Sequence, residues 1–255
     1  MYRELNRKRI ILENRKPYSS DTTRLMTEMN LLDFAYTAMR LSGSSLTRKM
    51  VSEILQGVFF TEVSLKEHAK IERYKIVLAE MQSMCEMKNS LSPEITARLF
   101  RLLTGEEKAA FRKKTEITEE IAYLPPPASE IESRLTVLMN WIARDGEVYE
   151  SANPFETEDL AEAPSNFILR AAYLHNRFIA LCPYEKENLE MARVLMYYYL
   201  MYKGYPVFAL NFSRQEYCDA ISAYLKEGEI EPFYSGLSRS IFNKTEILMQ
   251  LTAVE

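Results

Sequence analysis

The stretch of sequence that decides the fold runs from His175 to Arg193 and reads HNRFIALCPYEKENLEMAR. Apolar residues follow a helical spacing on both sides of a short polar segment, and Pro183 cannot continue a helix because it lacks a backbone N–H. The pattern predicts an apolar helix from about residue 164 to 181, a short loop, and a second apolar helix from about residue 188 to 203. The backbone N–H groups that begin the second helix point into the loop, which is a general arrangement for binding anions.

The composition of the rest of the chain predicts a helical protein. Only 7 of the 255 residues are glycine, against an average usage of roughly 7%. Hydrophobic residues make up 47% and charged residues 27% of the chain, which excludes a disordered or fibrous protein. We predict an all-α bundle in which residues 1–90 form an N-terminal helical extension and residues 91–255 form the main domain, packed as one globular unit.

Helix boundaries outside the central stretch are marked by apolar spacing and by capping residues. Residues 21–42 are expected to form a buried helix whose apolar face includes Leu25 and Met39, and residues 46–57 a shorter helix that ends at Gly57. In a capping box, a serine and a glutamate three residues later satisfy each other's backbone N–H groups. Three such boxes are predicted: Ser64 with Glu67, Ser129 with Glu132, and Ser213 with Glu216.

Residues 111–127 break the helical pattern. The segment 115–118 favours β structure, and Pro125, Pro126 and Pro127 end it in an extended conformation. A short β-hairpin flap is therefore predicted here.

The charge and the scarce metal ligands exclude several classes of function. With 32 basic and 36 acidic residues the net charge is −4, so no basic field favours nucleic acid or an anionic membrane. No apolar run is long enough to span a bilayer, and the N-terminus lacks the apolar core of a signal peptide. Three widely spaced cysteines and two histidines predict no metal site and fit a cytoplasmic protein.

The central stretch resembles the core motif of the Fic family (filamentation induced by cAMP), H-x-x-F-x-x-I-H-P-F-x-(D/E)-G-N-G-R-x-x-R. The positions that agree are His175, Phe178, Pro183, Tyr184, Asn188 and Arg193. Segments 46–57, 111–126 and 213–217 resemble further parts of the family in the expected order. The resemblance implies a Fic-like helical bundle with the extension and the flap described above.

The resemblance also implies a chemistry, and this sequence departs from the residues that the family uses for it. Family members transfer AMP from ATP to a hydroxyl group of a target protein, using the motif histidine as base, an acidic residue for Mg²⁺, and a Gly-Asn-Gly-Arg segment for the phosphates. The replacements in this chain are Cys182 at the base, Lys186 at the metal position, Glu187 and Leu189 at the two glycines, and Glu190 at the phosphate-binding arginine. A mostly protonated thiol is a poor base, and a lysine repels Mg²⁺.

The resemblance and the replacements together predict a catalytically inactive Fic-domain protein that acts by binding a protein along the flap, between Thr115 and Leu124, without a cofactor. Six residues occupy positions that bind the nucleotide in the family, and we expect them to be vestigial here: Asn188, Arg193, Lys186, Glu190, Arg214 and Tyr217.

The alternative is an active protein nucleotidyltransferase that uses ATP and Mg²⁺. In that case Glu187 or Glu190 would act as the base, and Lys186 would contact a phosphate. The S-x-x-x-E-(G/N) inhibitory motif of many family members is absent after Ser44.

Each of these residues also has an ordinary structural explanation. His175 is expected to be a hydrogen-bonded core histidine, and Cys182 an inert thiol. Lys186 and Glu190 are expected to pair, since they lie four residues apart. Tyr217, the aromatic run 196–202, Cys85 and Cys218 are expected to pack in the core.

Overall fold

A computed structural model describes residues 2–118, 121–144 and 166–253. The helices are α1 (Tyr2–Asn14), α2 (Ser20–Leu41), α3 (Arg48–Leu55), α4 (Leu65–Glu86), α5 (Pro93–Thr104), α6 (Ile131–Ala143), α7 (Phe167–Leu181), α8 (Asn188–Tyr202), α9 (Arg214–Glu227) and α10 (Glu231–Leu251). The predicted all-α fold is confirmed, and the helices predicted around the central stretch are α7 and α8. The first residues of the predicted α7, 164 and 165, lie outside the described residues.

Helices α7 and α8 form the centre of the bundle. They make the most extensive helix–helix contact, and α8 also packs against α4 and α5, while α7 packs against α6, α9 and α10. Almost every residue from Leu189 to Leu200 is buried, which explains why both helices are apolar on nearly all sides. Residues 196–200 of the aromatic run predicted over 196–202 are core, whereas Met201 and Tyr202, at the end of α8, are half-buried.

The N-terminal helices share this core. Helix α1 packs against α10, and α2 packs against α4 and α9. Leu5, Phe34 and Ile241 belong to one cluster of buried apolar residues. The boundary between an extension and a main domain near residue 90 stays a prediction.

Several local predictions are corrected by the structure. The first turns of α2 are largely exposed, and Leu25 is not on a buried face, because only the second half of α2 has α3 and α4 to pack against. Ser129 lies inside a short 3-10 turn, Ala128–Glu130, so it cannot cap α6. The capping box at Ser213 and Glu216 is complete, whereas Ser64 caps α4 by accepting the N–H of Glu67.

The flap segment, residues 112–118 and 121–124, is extended and exposed over much of its length. A single antiparallel bridge joins Thr118 and Tyr123, and no paired strands are seen among the described residues of the segment. Cys85 and Cys218 are half-buried rather than buried.

Candidate functional site

The central loop, residues 182–187, is held in one shape by its own side chains. Helix α7 ends where Cys182 adopts a left-handed conformation with φ 45°. The Asn188 side chain then closes the loop: its Oδ1 accepts the Tyr184 N–H at 3.0 Å, and its Nδ2 donates to the Tyr184 carbonyl at 2.7 Å. The Tyr184 ring is buried and stacks on Phe100 with 3.7 Å between ring centroids. The Asn188 amide is therefore used within the loop.

The Cys182 thiol is enclosed rather than presented to a substrate. The residue is 7% exposed, and its Sγ lies 3.3 Å from the Asn188 Nδ2. Burial raises the pKa of Cys182, although the nearby Arg112 guanidinium opposes the shift. The thiol is thus protonated at neutral pH and is unsuited to act as a general base.

Arg112 anchors the flap segment to the central loop. Its Nε donates to the Cys182 carbonyl at 2.7 Å, and its Nη2 donates to the carbonyls of Pro126 and Leu181 at 2.6 and 3.3 Å. Its Nη1 donates to the Lys114 carbonyl at 2.8 Å. Arg112 as a whole is 7% exposed, so these carbonyls satisfy its guanidinium in place of water or a carboxylate.

A lysine and two glutamates form a cluster of ion pairs at the N-terminus of α8. Lys70, on α4, places its Nζ 3.1 Å from the Glu187 Oε2 and 3.2 Å from the Glu190 Oε1. The Ser42 hydroxyl, at the end of α2, donates to the same Glu190 oxygen at 2.6 Å. Carboxylates are favoured at this end of a helix by its dipole. The position that could hold an external anion is therefore occupied by the chain's own carboxylates.

The two glutamates differ in electrostatic environment. Burial disfavours the charged form of Glu190, but Arg193 and Lys70 outweigh burial and hold its pKa well below the usual value. Burial and the neighbouring Glu190 charge raise the pKa of Glu187, and Lys70 offsets this only in part. The backbone of Glu187 is in the left-handed region, with φ 59°. Glycine adopts this conformation readily, whereas it is unfavourable for a residue that has a side chain. At Glu187 the loop thus has a backbone conformation typical of glycine, at a residue that carries a carboxylate.

Arg193 and Tyr217 lie in the core behind these carboxylates. Arg193 is 2% exposed; its Nη1 donates to the Tyr217 hydroxyl at 3.2 Å and its Nη2 to the Ser42 hydroxyl at 3.2 Å. The Tyr217 hydroxyl is 2.7 Å from the His175 Nε2. Burial and Arg193 hold the pKa of His175 well below its usual value. His175 and Tyr217 are therefore hydrogen-bonded core residues, as predicted.

The predicted ion pair between Lys186 and Glu190 is wrong. The Lys186 Nζ is 2.6 Å from a Glu106 oxygen, just beyond the end of α5, and points outward. Glu190 points inward to Lys70, because the turn at Glu187 separates the loop from the first turn of α8. The guanidinium of Arg214 lies close to Gly43 at the end of α2, and Arg214 does not line the groove described next.

An open groove of about 870 Å³ separates the flap segment from the central loop and the first turn of α8. The structure brings Cys182, Lys186, Asn188 and Glu190 to this groove, whereas Arg193 and Tyr217 do not line it. The role of these positions in binding a nucleotide stays a prediction. Lys70 and Ser42, which hold Glu190, were not predicted, since no local signal connects them to residues more than a hundred positions away. Within the described ranges, no group of three or more His, Cys, Asp or Glu residues could hold a metal ion. None of the described helices is long and apolar enough to cross a membrane.

No model of a known protein family matches the sequence, whereas solved structures match almost the whole chain. A Fic-domain-containing signaling protein from Bacteroides thetaiotaomicron is 17% identical with a TM-score of 0.77, over 100% of this chain and 98% of that one. Fic-1 from C. elegans is 18% identical with a TM-score of 0.77, over 99% of this chain and 72% of that one. IbpAFic2, solved in complex with adenylylated Cdc42, is 15% identical with a TM-score of 0.50, over 94% of this chain and 87% of that one. Identities this low show a shared fold, and the chain therefore has the fold of Fic-domain proteins.

Proposed function

We propose that this protein is a member of the Fic family that has lost nucleotide transfer and acts by binding another protein. The observation that carries the proposal is the bridge from Lys70 to Glu187 and Glu190 at the N-terminus of α8. A nucleotide phosphate placed there would meet two carboxylates within a few ångströms, and like charges at such distances repel strongly in a partly buried site.

The residues at the base and metal positions support the same proposal. The enclosed Cys182 thiol has a raised pKa, and Lys186 pairs with Glu106 where an acidic ligand would be needed for Mg²⁺. These residues do not fit Mg²⁺ and ATP. The free thiols of Cys85, Cys182 and Cys218 fit a cytoplasmic location.

The flap segment is the proposed contact surface. The backbone N–H groups of residues 113–117 donate to no described residue, and these residues are exposed. Unpaired extended backbone can add a strand from a partner, and backbone hydrogen bonds of this kind supply affinity. The segment is also anchored at one end by Arg112, so it is held at a fixed distance from the central loop.

An active protein nucleotidyltransferase is the alternative. It is favoured by Glu187, which lines the groove and has a raised pKa suited to a general base. It is disfavoured by Lys186, which contacts Glu106 and would have to leave it to reach a phosphate.

Two measurements separate these functions. Incubation of the purified protein with labelled ATP or UTP, Mg²⁺ and a cell lysate should give no labelled protein above a blank. Calorimetry with ATP, ADP and UTP, with and without Mg²⁺, should show no binding. Transfer of a nucleotide to any protein would refute the proposal. Micromolar binding that persists without Mg²⁺ and disappears in Lys186→Ala would support the alternative.

A further inference from the structure

The two walls of the groove carry different charges. Three glutamates, Glu185, Glu187 and Glu190, line the wall formed by the central loop and α8. The opposite wall, formed by the flap segment, is lined by Arg112, Lys113 and Lys114, of which Lys114 is 3.5 Å from Glu116. The flap wall also carries Glu116, the partner of Lys114, and the loop wall carries Lys186, whose Nζ is 2.6 Å from Glu106. The carboxylates without a full complement of cations therefore lie on the loop wall.

The carboxylates on the loop wall are unequally neutralised. Glu190 is fully engaged, with Ser42 and Lys70 at hydrogen-bonding distance and Arg193 at 3.8 Å. Glu187 forms an ion pair with Lys70, which also contacts Glu190, and 26% of the Glu187 side chain is exposed. Glu185 is exposed and forms no ion pair with another described residue. Of the three glutamates that line this wall, Glu185 and Glu187 therefore carry the charge that is least neutralised.

This arrangement reverses the usual preference of a helix N-terminus. Its N–H groups and dipole attract anions, but two carboxylates already occupy that position in this chain. A further anion would be repelled, whereas a cation would reduce the repulsion between Glu187 and Glu190. The raised pKa of Glu187, caused by burial and by Glu190, agrees with a carboxylate that lacks sufficient positive charge nearby.

We propose that the groove takes an extended protein segment whose arginine or lysine side chain lies against Glu187, with Glu185 beside it. This deepens the protein-binding part of the proposed function and depends on it. The backbone of the segment would pair with alternate N–H groups among residues 113–117, which donate to no described residue. An apolar side chain next to the cation would cover Ile117, which lines the groove and is 64% exposed. Arginine suits the site because its planar guanidinium can donate to both oxygens of a carboxylate.

The test compares two capped peptides that differ in one charge. Ac-Thr-Val-Arg-Val-Thr-NH₂ and the same peptide with citrulline in place of arginine would be titrated into the whole protein at low salt, followed by NMR chemical shifts. Citrulline keeps the size and most hydrogen-bond donors of arginine but is neutral. We expect the arginine peptide to bind at least about fivefold more tightly, and we expect the difference to shrink as salt is raised.

Variants test whether the difference in affinity between the two peptides arises at the loop wall. Glu187→Gln and Glu185→Gln should each reduce the preference for arginine by at least about twofold, and Glu229→Gln, an exposed change of equal charge outside the groove, should leave it unchanged. Because Glu185 is exposed, its variant folds even if Glu187→Gln does not. Equal binding of the two peptides, no binding of the arginine peptide at millimolar concentration, or an unaltered preference in both groove variants would overturn this inference. None of these outcomes bears on nucleotide transfer, which the labelling experiment tests separately.

Discussion

Replacing Glu190 by glutamine tests whether the buried charges behind the central loop stabilise the fold. Glutamine has nearly the same shape but no charge, so the Ser42 contact at 2.6 Å becomes a neutral hydrogen bond and the 3.2 Å contact with Lys70 is weakened. Arg193, whose side chain is 3% exposed, loses the carboxylate at 3.8 Å. Hydrogen bonds to charged groups contribute about 1.5–3 kcal/mol, and removing one partner of a buried ion pair costs about 3–5 kcal/mol.

The expected loss is smaller than these figures added together, because Lys70 keeps Glu187 and Arg193 keeps Tyr217 and Ser42. We expect the free energy of unfolding at pH 7 to fall by about 2–3 kcal/mol. In a protein of this size that corresponds to a decrease in Tm of about 5–10 °C. Urea unfolding followed by circular dichroism, with a thermal melt, measures both quantities.

The dependence on pH distinguishes charge from packing. The pKa of Glu190 is lowered in the folded state, so its contribution is present above the unfolded value of 4.5 and is lost as pH falls through the folded value. The difference between the wild-type protein and Glu190→Gln should therefore shrink as pH is lowered from 7 toward 3. A variant as stable as wild type at pH 7, or a difference that does not shrink in acid, would refute the reasoning.

Glu187→Gln is the matched control, since it makes the same change three residues away. The pKa of Glu187 is raised in the folded state, so its ionised form lowers stability, and this cost is complete once pH exceeds the folded pKa. Its replacement should leave the protein at least as stable as wild type at pH 7. Equal destabilisation by both variants would show that the two carboxylates are not distinguished as described.

Three further predictions follow from the site. Arg112→Met removes a buried cation that donates to four carbonyl groups, so the free energy of unfolding should fall by about 3 kcal/mol. Limited proteolysis should also cut the flap segment faster. The control Arg134→Met changes an exposed arginine and should have neither effect. Iodoacetamide should modify Cys182 at least about tenfold more slowly in the native protein than in urea, because the thiol is buried with a raised pKa; equal rates by mass spectrometry would contradict this. Tyr217→Phe should cost about 1–2 kcal/mol, since two buried groups lose their partner, and an unchanged urea midpoint would count against the buried hydrogen-bond chain.

Much of the fold could be predicted because the signals for it are local. The apolar spacing on either side of Pro183 and the cap at Ser213 depend on residues within one or two turns of each other. Helices α7 and α8 begin and end near the predicted positions, and α9 begins at the predicted cap. Ser129 misled the prediction because a 3-10 turn, which has similar sequence preferences, precedes α6. Leu25 misled it because an apolar residue at the right spacing is buried only where another element covers it.

The sequence predicts which charged residues lie at the site, but it does not predict which residues they contact. Lys186 and Glu190 have the spacing of a helical ion pair, yet Lys186 precedes the helix and contacts Glu106 instead. Lys70 is separated from Glu187 by more than a hundred residues, and only the packing of α4 against α8 brings them together. Long side chains on a surface reach many partners, so their sequence spacing carries little information.

By itself, the sequence determined the all-α class, the helix–loop–helix at residues 175–193 and the charged residues of its loop, because these depend on residue type and short-range spacing. Only the tertiary structure decided what the loop residues contact. The packing of α2 and α4 against α8 places Ser42 and Lys70 on Glu190, and the Arg112 anchor sets the groove beside the flap segment. Electrostatic contacts act over a few ångströms in space, and that distance is set by how the helices pack rather than by their order along the chain.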